Sequence, residues 1–164
     1  MKVIKINHER CTGCRLCELV CSVRHSSVSN PMRSRIRVVK WESEGVSIPI
    51  TCQQCEDAPC AASCPRKALK RNDSTGVVDL DYDLCIGCRT CVSVCPFGAM
   101  HFDALGRKVI KCDQCEGDPQ CVRFCEIKAV EHVDAGDISL GRKREAARRL
   151  LEADRKSAAL AQGK

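Results

Sequence analysis

Cys85-Ile86-Gly87-Cys88-Arg89-Thr90-Cys91-Val92-Ser93-Val94-Cys95-Pro96 decides how the rest of this sequence is read. Its spacing is C-x2-C-x2-C-x3-C-P. Three thiols sit on one tight loop, and the fourth is carried away on the turn that follows. At this spacing the fourth thiol can serve a different metal centre from the first three. The motif therefore implies a partner motif, and the sequence supplies three more.

All 16 cysteines fall into four groups: 11, 14, 17, 21; 52, 55, 60, 64; 85, 88, 91, 95; and 112, 115, 121, 125. The first group (Cys-Thr-Gly-Cys-Arg-Leu-Cys) matches the third. The second (Cys52-Gln-Gln-Cys55-Glu-Asp-Ala-Pro) matches the fourth (Cys112-Asp-Gln-Cys115-Glu-Gly-Asp-Pro). After the last cysteine of three groups, Ala and an apolar residue recur at one distance: Ala68-Leu69, Ala99-Met100 and Ala129-Val130. This is an internal duplication. A secreted disulfide scaffold is excluded, because C-x2-C pairs are poor disulfide partners and good metal ligands, and Met1–Ile6 lack a signal-peptide apolar region. No apolar run reaches membrane-spanning length, so the sequence reads as soluble and cytoplasmic.

Aromatic content is 3%, too little for a conventional core in 164 residues, and metal sites are the expected compensation. Thiolates suit zinc or iron–sulfur clusters. Zinc sites space two C-x2-C pairs more widely. Three close thiols plus a fourth suit three corners of a cubane better than one tetrahedral ion, and all-cysteine ligation predicts four [4Fe–4S] clusters. The net charge of +6 then has a near cause. Four oxidised clusters at about −2 each bring roughly −8, so the basic residues offset cofactor charge and no nucleic-acid partner is expected. Histidines 8, 25, 101 and 132 are not needed as ligands and read as surface or edge residues.

Around the motifs the elements are short. Residues 2–6 alternate as a strand, and Glu18–Cys21 suits one helical turn. Residues 22–46 are an insertion. Arg33–Trp41 and Val46–Thr51 read as a ribbon turning at Glu44-Gly45, whose outward arginines and Trp41 suit either a partner surface or a charge-guarded edge. Lys67–Arg71 with Val77–Leu80, and Ala99–Asp103 with Arg107–Lys111, read as hairpins. Ala129–Val133 closes the region. Residues 137–164 carry eight Lys/Arg against four Asp/Glu. There, Arg142–Ala161 reads as an amphipathic helix packed on its own domain or docked on another subunit. The expected class is α+β: duplicated ferredoxin-like cluster-binding modules with short β-hairpins, an inserted β-ribbon and a C-terminal helix. The cluster domain covers 1–136, an outer module (1–46 with 104–136) around an inner one (47–103). Residues 137–164 form the helix for docking or assembly.

The four-motif order, the C-x2-C-x4-C-x3-C-P second motif and the Arg-x-Arg-x-Val strand resemble the four-cluster iron–sulfur subunits of molybdenum and tungsten oxidoreductases, the dimethyl sulfoxide reductase B-subunit type. The likeness covers roughly residues 1–133. The short length is similar to that of small members serving tungsten aldehyde oxidoreductases. The resemblance implies a nested exchange of ligands. Cys11, Cys14 and Cys17 would share cluster A with Cys125. Cys112, Cys115 and Cys121 would share cluster B with Cys21. Cys52, Cys55 and Cys60 would share cluster C with Cys95, and Cys85, Cys88 and Cys91 would share cluster D with Cys64. Pro65 and Pro96 follow the inner pair of fourth cysteines, whereas Ser22 and Glu126 follow the outer pair.

No G-x-G-x-x-G or P-loop is present, and the motifs leave little chain for a substrate pocket. The expectation is a non-catalytic electron-transfer subunit between a molybdenum/tungsten-pterin catalytic subunit and a second redox partner, with a flavin-containing subunit as one candidate. A free soluble polyferredoxin and an accessory carrier of a hydrogenase or formate dehydrogenase system stay open as alternatives. The tail adds one further expectation, head-to-tail self-assembly.

Overall fold

The computed structural model describes residues 1–104, 106–138, 140 and 147. The helix expected over 142–161 lies outside the described residues, apart from Ala147. Residues Met1–His132 form one unit and Val133–Lys164 a second.

The secondary structure is a set of short pieces hung on the cysteine loops. β1 (Lys2–Ile6) pairs with β8 (Val130–Asp134), so the two ends of the motif region share a ladder. β2 (Ile36–Trp41) pairs antiparallel with β3 (Val46–Thr51), from Ile36 opposite Thr51 to Trp41 opposite Val46. β4 (Leu69–Arg71) pairs with β5 (Val78–Leu80), and β6 (His101–Asp103) with β7 (Lys108–Ile110). The β4–β5 turn closes because the Asn72 side chain accepts from the Ser74 and Thr75 N–H groups at 3.0 and 3.2 Å. Each sheet has two strands. Such ribbons are marginal alone and need something to pack on.

Two small cores supply that backing, and cysteine is part of both. One gathers Ile4, Ile36, Ala99 and Val130 around Cys21, Cys52, Cys112 and Cys121. The other gathers Ala58, Leu69, Val78, Met100 and Val109 around Cys91. With so few aromatics, thiols occupy positions that large apolar side chains fill elsewhere.

Three helices are single turns: α2 (Pro59–Ala62), α3 (Thr90–Ser93) and α4 (Gln120–Arg123). The first motif differs from the expectation. Its helix, α1 (Leu16–Ser26), runs 11 residues rather than one turn. Pro65 and Pro96 block continuation after the second and third motifs. The fourth motif has no proline, yet Lys128 at φ 53° turns the chain as Lys67 (φ 51°) and Gly98 (φ 58°) do. Each of these three donates its N–H to the carbonyl of the preceding motif cysteine, at 3.1–3.2 Å. After Cys21 there is neither proline nor such a turn. Ser22 instead bonds back to the Leu19 carbonyl at 2.8 Å, and the helix goes on.

The ribbon also starts later than Arg33. Pro31–Arg33 forms a 3-10 turn capped by Asn30, which accepts from the Met32 N–H at 3.0 Å. Glu18, fully buried on α1, fastens the ribbon to the first motif. Its carboxylate accepts from the Val38 N–H at 2.6 Å and from Arg15 Nε at 2.9 Å.

Candidate metal centres

Each loop reaches its shape through left-handed backbone. In the first and third motifs the paired positions are Gly13 (φ 69°) with Arg15 (φ 61°), and Gly87 (φ 68°) with Arg89 (φ 66°). A Cβ at Gly13 would stand 2.4 Å from Ser47 Oγ, and one at Gly87 2.9 Å from the Arg107 carbonyl. Glycine is thus required twice over, by dihedral and by space. In the second and fourth motifs the matching positions are Gln54 (φ 51°) and Gln114 (φ 58°), both buried.

The bends point main-chain donors at sulfur. The Ala68 N–H lies 3.3 Å from Cys64 Sγ, and the Ala99 N–H lies 3.4 Å from Cys95 Sγ, at equivalent places in the repeat. The Gln114 N–H approaches Cys112 Sγ at 3.4 Å, and the Arg35 N–H approaches Cys21 Sγ at 3.2 Å. Donors aimed at thiolate sulfur stabilise its negative charge and tune a metal bound there.

Burial and neighbouring thiols raise several of these cysteines. Burial first, then Glu18 and Cys14, push Cys17 up to about 12, and Cys11 adds to this. Burial raises Cys121 strongly, with Cys112, Cys21, Cys115 and then Cys17 adding. Burial raises Cys55 and Cys60, and Cys52 and Cys95 act on both. Burial and Cys88 push Cys91 up to about 11, with Cys60 and Cys85 contributing. Burial also lifts Cys112 to about 11, opposed by the Gln114 N–H, with Cys52 adding. The groups in mutual reach are thus 11/14/17, 21/112/115/121, 52/55/60/95 and 85/88/91. Cys17 also acts on Cys121, Cys52 on Cys112 and Cys60 on Cys91. Cys125 packs on the core that holds Cys21 and Cys121, and Cys64 on the core that holds Cys91. Crowded, partly desolvated thiols that raise one another are kept as thiolates by a bound cation, so the donor set fits an iron–sulfur group.

Exposure is uneven. Cys14 and Cys88, the second cysteines of the first and third motifs, are exposed; Cys21, Cys52, Cys91, Cys112, Cys115 and Cys121 are buried.

Several polar residues around these sites were not signalled by cysteine spacing. His25 is not a simple surface residue. Its Nε2 lies 3.4 Å from Cys115 Sγ and 3.6 Å from Asp113, which also pairs with Arg35. His101 Nε2 is buried without a hydrogen-bond partner among the described residues. Gln54 ties two motifs together: its Nε2 donates to the Cys112 carbonyl at 3.0 Å, and its Oε1 accepts from the Val78 N–H at 2.9 Å. The Cys-x-Gln-Cys match between the second and fourth motifs was the available signal for Gln54 and Gln114. Glu18 and His25 had none.

Four thiol groups on left-handed loops, with main-chain donors aimed at sulfur, define a ferredoxin-type 4Fe–4S-binding electron-transfer protein. Residues 44–135 match the family model of the 4Fe-4S dicluster domain, and residues 4–24 match that of the 4Fe-4S binding domain. The chain belongs to the 4Fe-4S dicluster domain family. It is 42% identical over 122 residues to the polyferredoxin-like subunit of an aliphatic sulfonate oxidoreductase from Pyrococcus furiosus, covering 74% of this chain and 70% of that one. It is 34% identical over 171 residues to formate hydrogenlyase subunit 2 of Escherichia coli, covering 82% of each. Among solved structures, a chain of the active site complex BamBC of benzoyl coenzyme A reductase with 1,5-dienoyl-CoA superposes with a TM-score of 0.50 at 28% identity, over 81% of this chain and 75% of that one. Both curated relatives are named as subunits, one of an oxidoreductase and one of a hydrogenlyase. Among the described residues no helix is long and apolar enough to cross a membrane.

Proposed function

We propose that the chain relays electrons through four [4Fe–4S] clusters, between a molybdenum/tungsten-pterin catalytic subunit and a second redox partner. Cluster A takes Cys11, Cys14, Cys17 and Cys125, and cluster B takes Cys112, Cys115, Cys121 and Cys21. Cluster C takes Cys52, Cys55, Cys60 and Cys95, and cluster D takes Cys85, Cys88, Cys91 and Cys64. Each group supplies one-electron exchange when bound.

The observation that carries this reading is the packing of the thiol groups. Cys17, Cys21, Cys112, Cys121 and Cys125 share one core with Cys52 and Cys95, and Cys95 also packs on the second core beside Cys60, Cys64, Cys85 and Cys91, so thiols assigned to C stand between those of A and B and those of D. The exposed thiols, Cys14 and Cys88, belong to the terminal groups. All four thiols of group B are buried and group C has no exposed thiol, so partners reach the series most directly at its ends. Cys95 acting on Cys55 and Cys60 supports the inner exchange, as Cys21 acting on Cys115 and Cys121 supports the outer one.

Two experiments test the proposal. Anaerobically prepared protein should carry about sixteen irons with the absorbance of clusters; a colourless, zinc-loaded chain would refute it. Cys95→Ser should alter the cluster held by Cys52, Cys55 and Cys60, and a spectroscopic change confined to the Cys85 cluster would overturn the exchange. The partner is tested by isolating the native complex anaerobically and measuring its metals. Tungsten or molybdenum in a stoichiometric subunit supports the pterin partner, and an aldehyde-oxidising activity would place it with the tungsten aldehyde oxidoreductases. Nickel instead would favour the hydrogenase-linked alternative, to which the formate hydrogenlyase likeness points. A monomer with no partner would favour the free polyferredoxin.

A further inference from the structure

Lys111 is a buried lysine that the relay so far leaves unused. It is 3% exposed. Its Nζ donates to the Cys112 carbonyl at 2.8 Å and to Gln54 Oε1 at 3.1 Å. Both acceptors are neutral. Among the described residues it forms no ion pair with a carboxylate. An ammonium buried on two neutral acceptors is costly unless anionic charge lies close by.

The position shows where that charge is. Cys112 opens the fourth motif, and Gln54 sits inside the second, between Cys52 and Cys55. Gln54 is held in a left-handed conformation (φ 51°), and its amide is fixed by the Cys112 carbonyl and the Val78 N–H. The ammonium is therefore clamped between the loop of cluster B and the loop of cluster C. The duplication shows that the fold does not require lysine here. In the second motif the residue before the first cysteine is Thr51, equally buried and neutral.

We propose that Lys111 is a fixed positive charge set between clusters B and C, raising the reduction potential of both relative to A and D. A nearby cation favours the more negative, reduced form of each cluster. The middle of the relay then accepts electrons more readily than its ends. The proposal rests on the four-cluster reading of the preceding section.

The test is a redox titration of the iron-loaded full-length protein, followed by low-temperature electron paramagnetic resonance, with iron counted in every sample. In Lys111→Met and Lys111→Gln, two of the four clusters should become harder to reduce. Their reduced-to-oxidised ratio at the wild-type midpoint should fall about tenfold or more, equivalent to about 59 mV for a one-electron couple. Lys111→Arg should restore both. If the Met and Gln variants lose those two clusters while the Arg variant keeps them, the charge is needed even for assembly and the proposal stands. It falls if Lys111→Met keeps its iron with all potentials unmoved, if all four clusters shift together, or if Lys111→Arg behaves like Lys111→Met. A wild-type iron count far from sixteen would sink the four-cluster reading instead, and is seen before any variant is compared.

Discussion

Replacing Glu18 with alanine should loosen the β2–β3 ribbon without touching a cysteine. The carboxylate is fully buried and takes the Val38 N–H at 2.6 Å and Arg15 Nε at 2.9 Å. Its removal strands the Val38 N–H, a loss of about 1–3 kcal/mol for a buried donor left unsatisfied. The Arg15 half of the interaction adds less, because that side chain is 47% exposed and water replaces the partner. A total of about 2–3 kcal/mol corresponds to roughly 30- to 140-fold faster opening of the ribbon. Glu18→Gln keeps an acceptor for Val38 and should cost about 1 kcal/mol. Hydrogen exchange with mass spectrometry reads this directly, peptide by peptide. In Glu18→Ala the amides of residues 36–51 should lose protection, while those of the β4–β5 hairpin stay at the wild-type rate. Wild-type exchange throughout 36–51 would refute the claim that Glu18 fastens the ribbon to the first motif.

Three further outcomes are expected. Gly13→Ala meets Ser47 Oγ at 2.4 Å in a left-handed position, whereas Gly45→Ala (φ 66°) meets open space. Each should carry the conformational cost of about 1–2 kcal/mol, but only Gly13→Ala should add a steric one, seen as faster bleaching of the cluster absorbance in guanidinium. Burial holds His101 below the ordinary imidazole range, with Arg37 adding. A base with a lowered folded-state pKa binds fewer protons folded than unfolded. Stability should therefore be full above about pH 6.5 and decline below it. Exchange at residues 101–110, corrected for intrinsic rates, should show this slope, and His101→Gln should flatten it. Because cysteines sit in both cores, iron removal with a chelator should expose all four ribbons to protease together. Ribbons that stay resistant after iron loss would show cores that stand without metal.

Much of this was legible in the sequence because cysteine spacing is a direct record of metal geometry. The loops, the duplication and the two hairpins lie where the pattern placed them, with hairpin strand ends trimmed by one or two residues, and the return strand Val46–Thr51 keeps its expected bounds. What the pattern could not show depended on contacts distant along the chain. Glu18 reads as an ordinary acidic helix residue, yet its acceptor role is set by Val38, twenty residues on. The extra length of α1 follows from what Cys21 lacks after it, a proline or a left-handed turn, and absence is a weak signal. Lys67 and Lys128 adopt the conformation that Gly98 adopts, and no local rule selects lysine for it. His25 reaches Cys115 across ninety positions.

The four ribbons share no hydrogen-bonded ladder with one another among the described residues. Length changes in one are therefore not transmitted as register shifts to the next. A lineage could lengthen β2–β3, or graft a longer excursion onto its Trp41–Val46 turn, and leave the spacing between redox centres intact. Selection could thus tailor the outside of such a carrier to new enzymes while the conducting interior stays standardised.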